Sequence, residues 1–345
     1  MRRSLRNLTC CAMVLLTAFG SGCRSTPPPG KRLVRSGDEI IVAGQLFHTG
    51  TRVVTWMDPG GYDAYRVDRR FAPIQEAGWE ASKPTLPKDA SPNRFGIRKE
   101  SLSPEQLEQV RGGGWPLTLL QEIVDQFVIH FDMSGTSRRC FEVLHDKRCL
   151  SVHFMIDLDG TIYQTLDAKE RAWHATTSNG RSVGVEIASP GAFPIDQGDR
   201  LQRWYEKSAN GRTVLKLPTD PANSGLLNSA YVPSPARPDA IEGTIQGKTL
   251  RQYDFTEEQY KALSRLTATL CRVFPKLRCD YPRDQQGNLV REKLPDADLK
   301  GYQGLIGHYH IQTDKVDPGP AFDWERVIHE ARKLNRGASS RGEAR

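Results

Sequence analysis

The passage SVHFMIDLDGTIYQTL, residues 151–166, constrains the fold more than any other stretch of the chain. Two apolar runs flank Asp159-Gly160, a pair suited to a tight reversal because glycine enters positive φ without a steric penalty. The passage therefore predicts a β-hairpin. Phe127-Val128-Ile129-His130-Phe131 is a short apolar run of the kind that fills a buried strand, and residues 182–188, SVGVEIA, read as a further strand. Thr256-Glu257-Glu258-Gln259 forms a capping box, opening a helix in which Leu263, Leu266, Leu270 and Val273 recur at helical spacing. Residues 323–334, DWERVIHEARKL, predict a closing helix. Strands and helices mixed in this order predict an α/β (α+β) domain with a central mixed sheet flanked by helices.

The domain is expected to span residues 115–335, interrupted at about 191–254 and 281–300 by stretches rich in polar, Pro and Gly residues. Connections of that length are uncommon unless they are functional. The first follows directly after the strand 182–188, and it carries Trp204, Tyr205 and Tyr231 beside Arg203, Lys207 and Arg212. It is expected to wall or cover a binding groove. Residues 31–114 read as an N-terminal extension, with two short strands in 39–56 around a turn near Thr49-Gly50. Within it, Ser103-Pro104-Glu105-Gln106 starts a helix that Gly112-Gly113-Gly114 stops, and His48 reads as structural. Residues 336–345 form a polar tail.

The first residues are of another kind. Arg2, Arg3 and Arg6 precede an apolar run from Leu8 to Phe19, the pattern of a secretory signal and too short for a permanent membrane span. Gly20-Ser21-Gly22-Cys23 resembles the lipobox of bacterial lipoproteins, departing from it in having Gly20 where leucine is usual. That resemblance implies a signal peptide of residues 1–22 and a membrane anchor on a lipidated Cys23. The proline-rich tether reaches residue 30, and Arg24 implies the outer membrane facing the periplasm. Loss of residues 1–22 would remove three arginines and no acid, reducing the formal charge of +7 to +4. So mild an excess, without a basic run, gives no argument for a nucleic-acid partner. Of the seven cysteines, Cys140, Cys149, Cys271 and Cys279 lie in the exported portion. Local bridges Cys140–Cys149 and Cys271–Cys279 are the simplest pairing, since their spacings do not suit a zinc site.

Three places carry chemistry: His130 in its apolar run, Gly307-His308-Tyr309-His310, and Asp314-Lys315-Val316-Asp317-Pro318-Gly319. A catalytic zinc site takes three imidazole or carboxylate ligands and leaves one position open, which His130, His308 and Asp317 would satisfy if brought together. Spacing alone leaves open the reading of each histidine as a packed residue.

In order, FVIHFD, SVHFMIDLDGTIYQ, AWHA, NGRSVGVEIA and GLIGHYHIQTDKVDPGPAFDW resemble the zinc N-acetylmuramoyl-L-alanine amidases, relatives of the peptidoglycan recognition proteins and of the phage lysozyme-type amidases. The resemblance spans about residues 115–335 and implies a single domain of that fold. It places the Zn2+ ligands at His130, His308 and Asp317, and catalytic residues at Glu186 and Lys315. His310 is not among the implied ligands. His153 is expected to pack in its strand, and His174 to line the substrate groove. The implied activity is hydrolysis of the amide joining muramic acid to L-alanine in peptidoglycan or muropeptides, by a monomer. A non-catalytic peptidoglycan-binding protein of the same fold is the alternative, disfavoured by the complete ligand set.

Overall fold

The computed structural model describes residues 27–217 and 224–342. The signal sequence and Cys23 lie outside the described residues, as do the last residues of the tail. Residues 36–345 form one compact unit.

A six-stranded mixed sheet is its centre, built from β1 (Val53–Thr55), β2 (Gln126–Phe131), β3 (Phe154–Ile156), β4 (Ile162–Gln164), β5 (Ser182–Ile187) and β6 (Gly304–Gly307). The spatial order is β6-β2-β5-β3-β4-β1. β6, β2, β5 and β3 run parallel, so their C-terminal ends share one edge. β3 and β4 form the hairpin expected around Asp159-Gly160.

Strand periodicity separates packing from chemistry. Phe127, Ile129 and Phe131 of β2 share a core with Val183, Val185 and Ile187 of β5 and Leu305 of β6. Two helices cover this face, α2 (Glu257–Val273) and α3 (Trp324–Gly342), through Leu263, Leu266, Leu270, Val327 and Ile328. The predicted capping box starts α2: Gln259 N donates to Thr256 Oγ1 (3.1 Å) and Thr256 N to Gln259 Oε1 (2.9 Å). The alternate residues, Val128 and His130 on β2 and Gly184 and Glu186 on β5, point to the opposite face. Register pairs His130 with Glu186, and Glu186 with Met155.

The segment read as an extension is woven into this unit. Three strands occupy 39–56 where two were expected, and the hairpin Glu39–Val42/Gln45–His48 reverses at Ala43-Gly44. Thr49-Gly50 is instead a bend: Gly50 N donates to Asp38 Oδ2 (2.9 Å), and the chain then lays β1 beside β4. The capped helix α1 (Pro104–Gly113) forms as predicted, ending against Gly114 at φ 81°. Arg98 is fully buried, donating to the carbonyls of Ala168, Lys169, Asn179 and Gly180.

Neither expected disulfide is formed; all four cysteines are free. Cys140 and Cys149 are separated by continuous helical backbone, Ser137–Phe141 running into a π-helical turn Glu142–Lys147. Nine residues of such backbone span roughly 10 Å, beyond the ~7 Å Cα limit of a disulfide. The thiols of Cys271 and Cys279 do influence each other, raising the pKa of Cys271 and lowering that of Cys279.

Candidate active site

The C-terminal edge of the sheet gathers the residues that the sequence holds far apart. His130 stands near the end of β2, and His308 follows β6 immediately. The loop after His308 turns back so that Tyr309 N donates to Asp317 O (3.2 Å). Three atoms then face one another: His130 Nδ1 lies 3.0 Å from His308 Nδ1 and 2.8 Å from Asp317 Oδ2, and His308 Nδ1 lies 3.0 Å from Asp317 Oδ2. A tetrahedral zinc with arms of ~2.0 Å separates its ligand atoms by about 3.3 Å, so this triangle needs only slight widening. Among the described residues one other group has metal-ligand geometry, Asp38, Glu39 and His48. Its carboxylates are already spent on the backbone N–H groups of Ser36, Gly37, Asp38 and Gly50.

The hydrogen bonds behind the triangle suit a metal. Gln312 Oε1 can only accept, so at 2.8 Å it takes a proton from His308 Nε2, the tautomer that leaves an Nδ1 lone pair facing inward for a metal. His130 Nε2 meets His174 Nδ1 at 3.0 Å, and His174 Nε2 meets Ser182 Oγ at 3.3 Å. Donation along that line, from His130 through His174 to Ser182, likewise frees Nδ1 of His130. Gly184 makes room for it, since a Cβ there would lie 2.4 Å from the His174 ring. His174 borders the cavity as expected, and also backs His130.

Burial, then neighbouring His308, lowers the His130 pKa to about 4, which keeps its ring neutral. Burial opposes ionisation of Asp317, yet positive charge on His308 and a hydrogen bond from His130 hold its carboxyl well below the usual range, a role that a metal cation would take over with both Nδ1 atoms unprotonated. Glu186 is pushed the other way, by burial and then by Asp317 and Asp132. Its Oε2 is buried without a hydrogen-bond partner. Two inward lone pairs, a carboxylate and an unpartnered second carboxyl form a pocket short of positive charge, which a divalent cation would supply.

Glu186 and Lys315 both line the same cavity as the triangle, a space of about 680 Å³. Lys315 Nζ is 3.6 Å from Asp314 Oδ2 and one-third exposed, free to turn toward a bound group. His310 is fully buried and spent on Gly307 N (2.9 Å) and Val290 O (2.7 Å), which accounts for its exclusion from the ligands. His153 packs within the sheet, accepting from Gly184 N (3.1 Å) and meeting Glu170 O (2.9 Å). Burial, then Arg98, depresses its pKa to about 3. Its stabilising contribution is therefore complete above the unfolded value near 6.5 and is lost as pH falls from there toward 3. Urea midpoints should fall between pH 7 and pH 5, and His153→Gln should flatten that dependence. An unchanged slope would show that His153 takes up no proton on unfolding.

The described residues of the insertion 191–254 do not cover the site. None of those residues lines the cavity. Tyr205 packs on Tyr253 (4.1 Å between centroids), Tyr231 bonds to Glu258, and Trp204 lies against Gly135 on the rim. Its hairpin, Ile241–Ile245 with Lys248–Gln252, braces the loop that bears Lys315 and Asp317. Gln246 Nε2 donates to Tyr309 O (2.7 Å) and Gln312 O (3.0 Å). Gln252 donates to Pro318 O (3.1 Å) and accepts from Ala321 N (3.0 Å). Neither these glutamines nor Gln312 stands out in the sequence; of the three, only Gln312 carries a local signal, four residues after His308.

With this geometry in place, the family is defined by sequence. Residues 120–320 match the Amidase_2 family, N-acetylmuramoyl-L-alanine amidase, and the chain belongs to that family, whose members hydrolyse the muramoyl–L-alanine amide of peptidoglycan. It is similar to the 1,6-anhydro-N-acetylmuramyl-L-alanine amidase AmpD of Haemophilus influenzae, 23% identical across 66% of this chain and 76% of that one. AmpD of Salmonella typhimurium is 25% identical across 70% and 81% respectively. Among solved structures, the E. coli amidase AmiD in complex with anhydro-N-acetylmuramic acid-L-Ala-D-gamma-Glu-L-Lys aligns over 69% of this chain and 65% of that one. Its identity is 18% and its TM-score 0.33. The family assignment stands on the sequence match and not on that superposition.

Proposed function

We propose that the chain is a zinc-dependent N-acetylmuramoyl-L-alanine amidase acting on peptidoglycan or on muropeptides released from it. The observation that carries this reading is the triangle of His130 Nδ1, His308 Nδ1 and Asp317 Oδ2, no side longer than 3.0 Å, beside the unpartnered carboxyl of Glu186. Zinc held there supplies a Lewis acid and lowers the pKa of a water toward ~7. Glu186, one strand from His130, is placed to take the proton of the attacking water and return it to the departing amine of L-alanine. Lys315 donates to the oxygen of the scissile carbonyl as negative charge gathers on it. Gln312 and His174 hold the two imidazoles in their ligating tautomers.

The test is to digest purified muropeptides with the protein and separate the products by mass. The expected products are the free stem peptide and the muramic acid sugar, with activity abolished by a chelator and restored by zinc. Intact substrate after incubation with zinc-loaded protein would overturn the reading. AmpD relatives are named for 1,6-anhydro substrates, so anhydro and reducing muropeptides belong in the same assay.

We also propose that Cys23 carries a lipid that tethers the enzyme in the cell envelope. Radiolabelled palmitate should enter the wild-type chain and not Cys23→Ala, which should be released in soluble form. Equal labelling of both would refute the anchor.

A further inference from the structure

The cavity over the metal triangle has a neighbour. Trp173 lines the catalytic cavity and also a second one of about 420 Å³, whose other walls come from residues 96–111 and Arg171. This second space has a mainly apolar floor, Ile97, Leu107 and the Trp173 ring, with three cationic groups, Lys99, Arg111 and Arg171, against one acid, Glu100. It is fixed to the catalytic edge. Phe95–Gly96 pairs antiparallel with Arg171–Ala172, and Arg98 ties the same segment to the carbonyls of Ala168, Lys169, Asn179 and Gly180.

Its cations are weakly committed. Lys99 makes no ion pair among the described residues. Arg111 meets Glu108 with both side chains well exposed, 60% and 71%, and such pairs contribute little. Arg171 is 3.4 Å from Glu100, and its Nε is buried without a hydrogen bond. A ligand with an apolar body and free carboxylates complements such a space. The glycan side of a muropeptide is neutral in its N-acetyl and hydroxyl groups. The stem peptide is not: a γ-linked glutamate leaves its α-carboxylate free, and the peptide end adds another.

We propose that the cavity beyond Trp173 binds the acidic, distal part of the stem peptide, making residues 96–111 a specificity element for stem length and charge. The proposal rests on the amidase reading above. Three probes test it with the full chain: MurNAc-L-Ala, MurNAc-L-Ala-D-γ-Glu-L-Lys, and the latter with both carboxylates amidated. The wild type should prefer the acidic tripeptide substrate over the other two by about 10-fold or more in kcat/KM, through KM. In the double variant Lys99→Glu/Arg111→Glu that preference should fall about 10-fold, and Lys99→Arg should keep it. Calorimetry with free L-Ala-D-γ-Glu-L-Lys should show binding to the wild type and a loss of similar size in the double variant. Equal use of acidic and amidated tripeptides, or an unchanged preference in the double variant, would overturn the proposal. Should the wild type cleave no probe, the amidase reading fails, and calorimetry alone then decides the fate of this cavity.

Discussion

Alanine at His130, His308 or Asp317 is expected to strip the metal and lower turnover by about 10³-fold or more, because metal catalysis contributes several kcal/mol to the transition state. Each side of the triangle shares its atoms with the other two, so one deletion leaves a two-ligand site. The fold should survive, since the core that closes the sheet against α2 and α3 is on the other face. Gln312→Ala and His174→Ala should act differently, keeping all three ligands but weakening zinc affinity by about 10–100-fold. Metal content measured against a graded chelator separates the two classes. If His310→Ala lost zinc while His308→Ala retained it, the ligand assignment would be wrong.

Glu186→Gln and Lys315→Ala should each keep the metal and lose on the order of 10²-fold or more in kcat. Glutamine preserves the shape of Glu186 but accepts no proton, and it also relieves a carboxyl that burial, Asp317 and Asp132 hold far above its usual range. The glutamine variant should therefore fold at least as well as the parent while turning over far more slowly. Steady-state rates at saturating muropeptide, taken with zinc content, are the measurement. Parental kcat in Glu186→Gln would remove this residue from the proton transfer and leave Lys315 and the metal to account for the reaction.

Much of this site was visible before the fold was known, for identifiable reasons. His130 and Glu186 each interrupt an apolar strand, and a polar group in such a run needs a partner. The capping boxes at Ser103 and Thr256 are local chemistry, and both form as read. What the sequence withheld was non-local. The bend at Thr49-Gly50 resembles a hairpin tip until Asp38 is seen to take the Gly50 N–H. Gln246 and Gln252 are unremarkable polar residues in a long insertion until their amides are found on the carbonyls of Tyr309, Gln312 and Pro318. The aromatic residues of that insertion suggested the wall of a groove, and the structure gives Tyr205, Tyr231 and Trp204 to packing and the rim instead. The bridge expected between Cys140 and Cys149 failed because helical backbone holds the two apart.

The triangle joins residues 178 and 187 positions apart along the chain, its members entering from β2 and from just after β6. A chain emerging from N to C terminus thus carries one ligand for most of its length and can chelate nothing with the geometry of the finished site. The pocket comes into being only when β6 docks on β2 and the loop beyond it folds back. Loading of the proposed metal would in this sense be a proofreading event: only molecules that have completed their last strand pairing would offer all three ligands. Under the proposed function, truncated or stalled chains would stay empty and inert, and a peptidoglycan hydrolase would gain its activity only by finishing its fold.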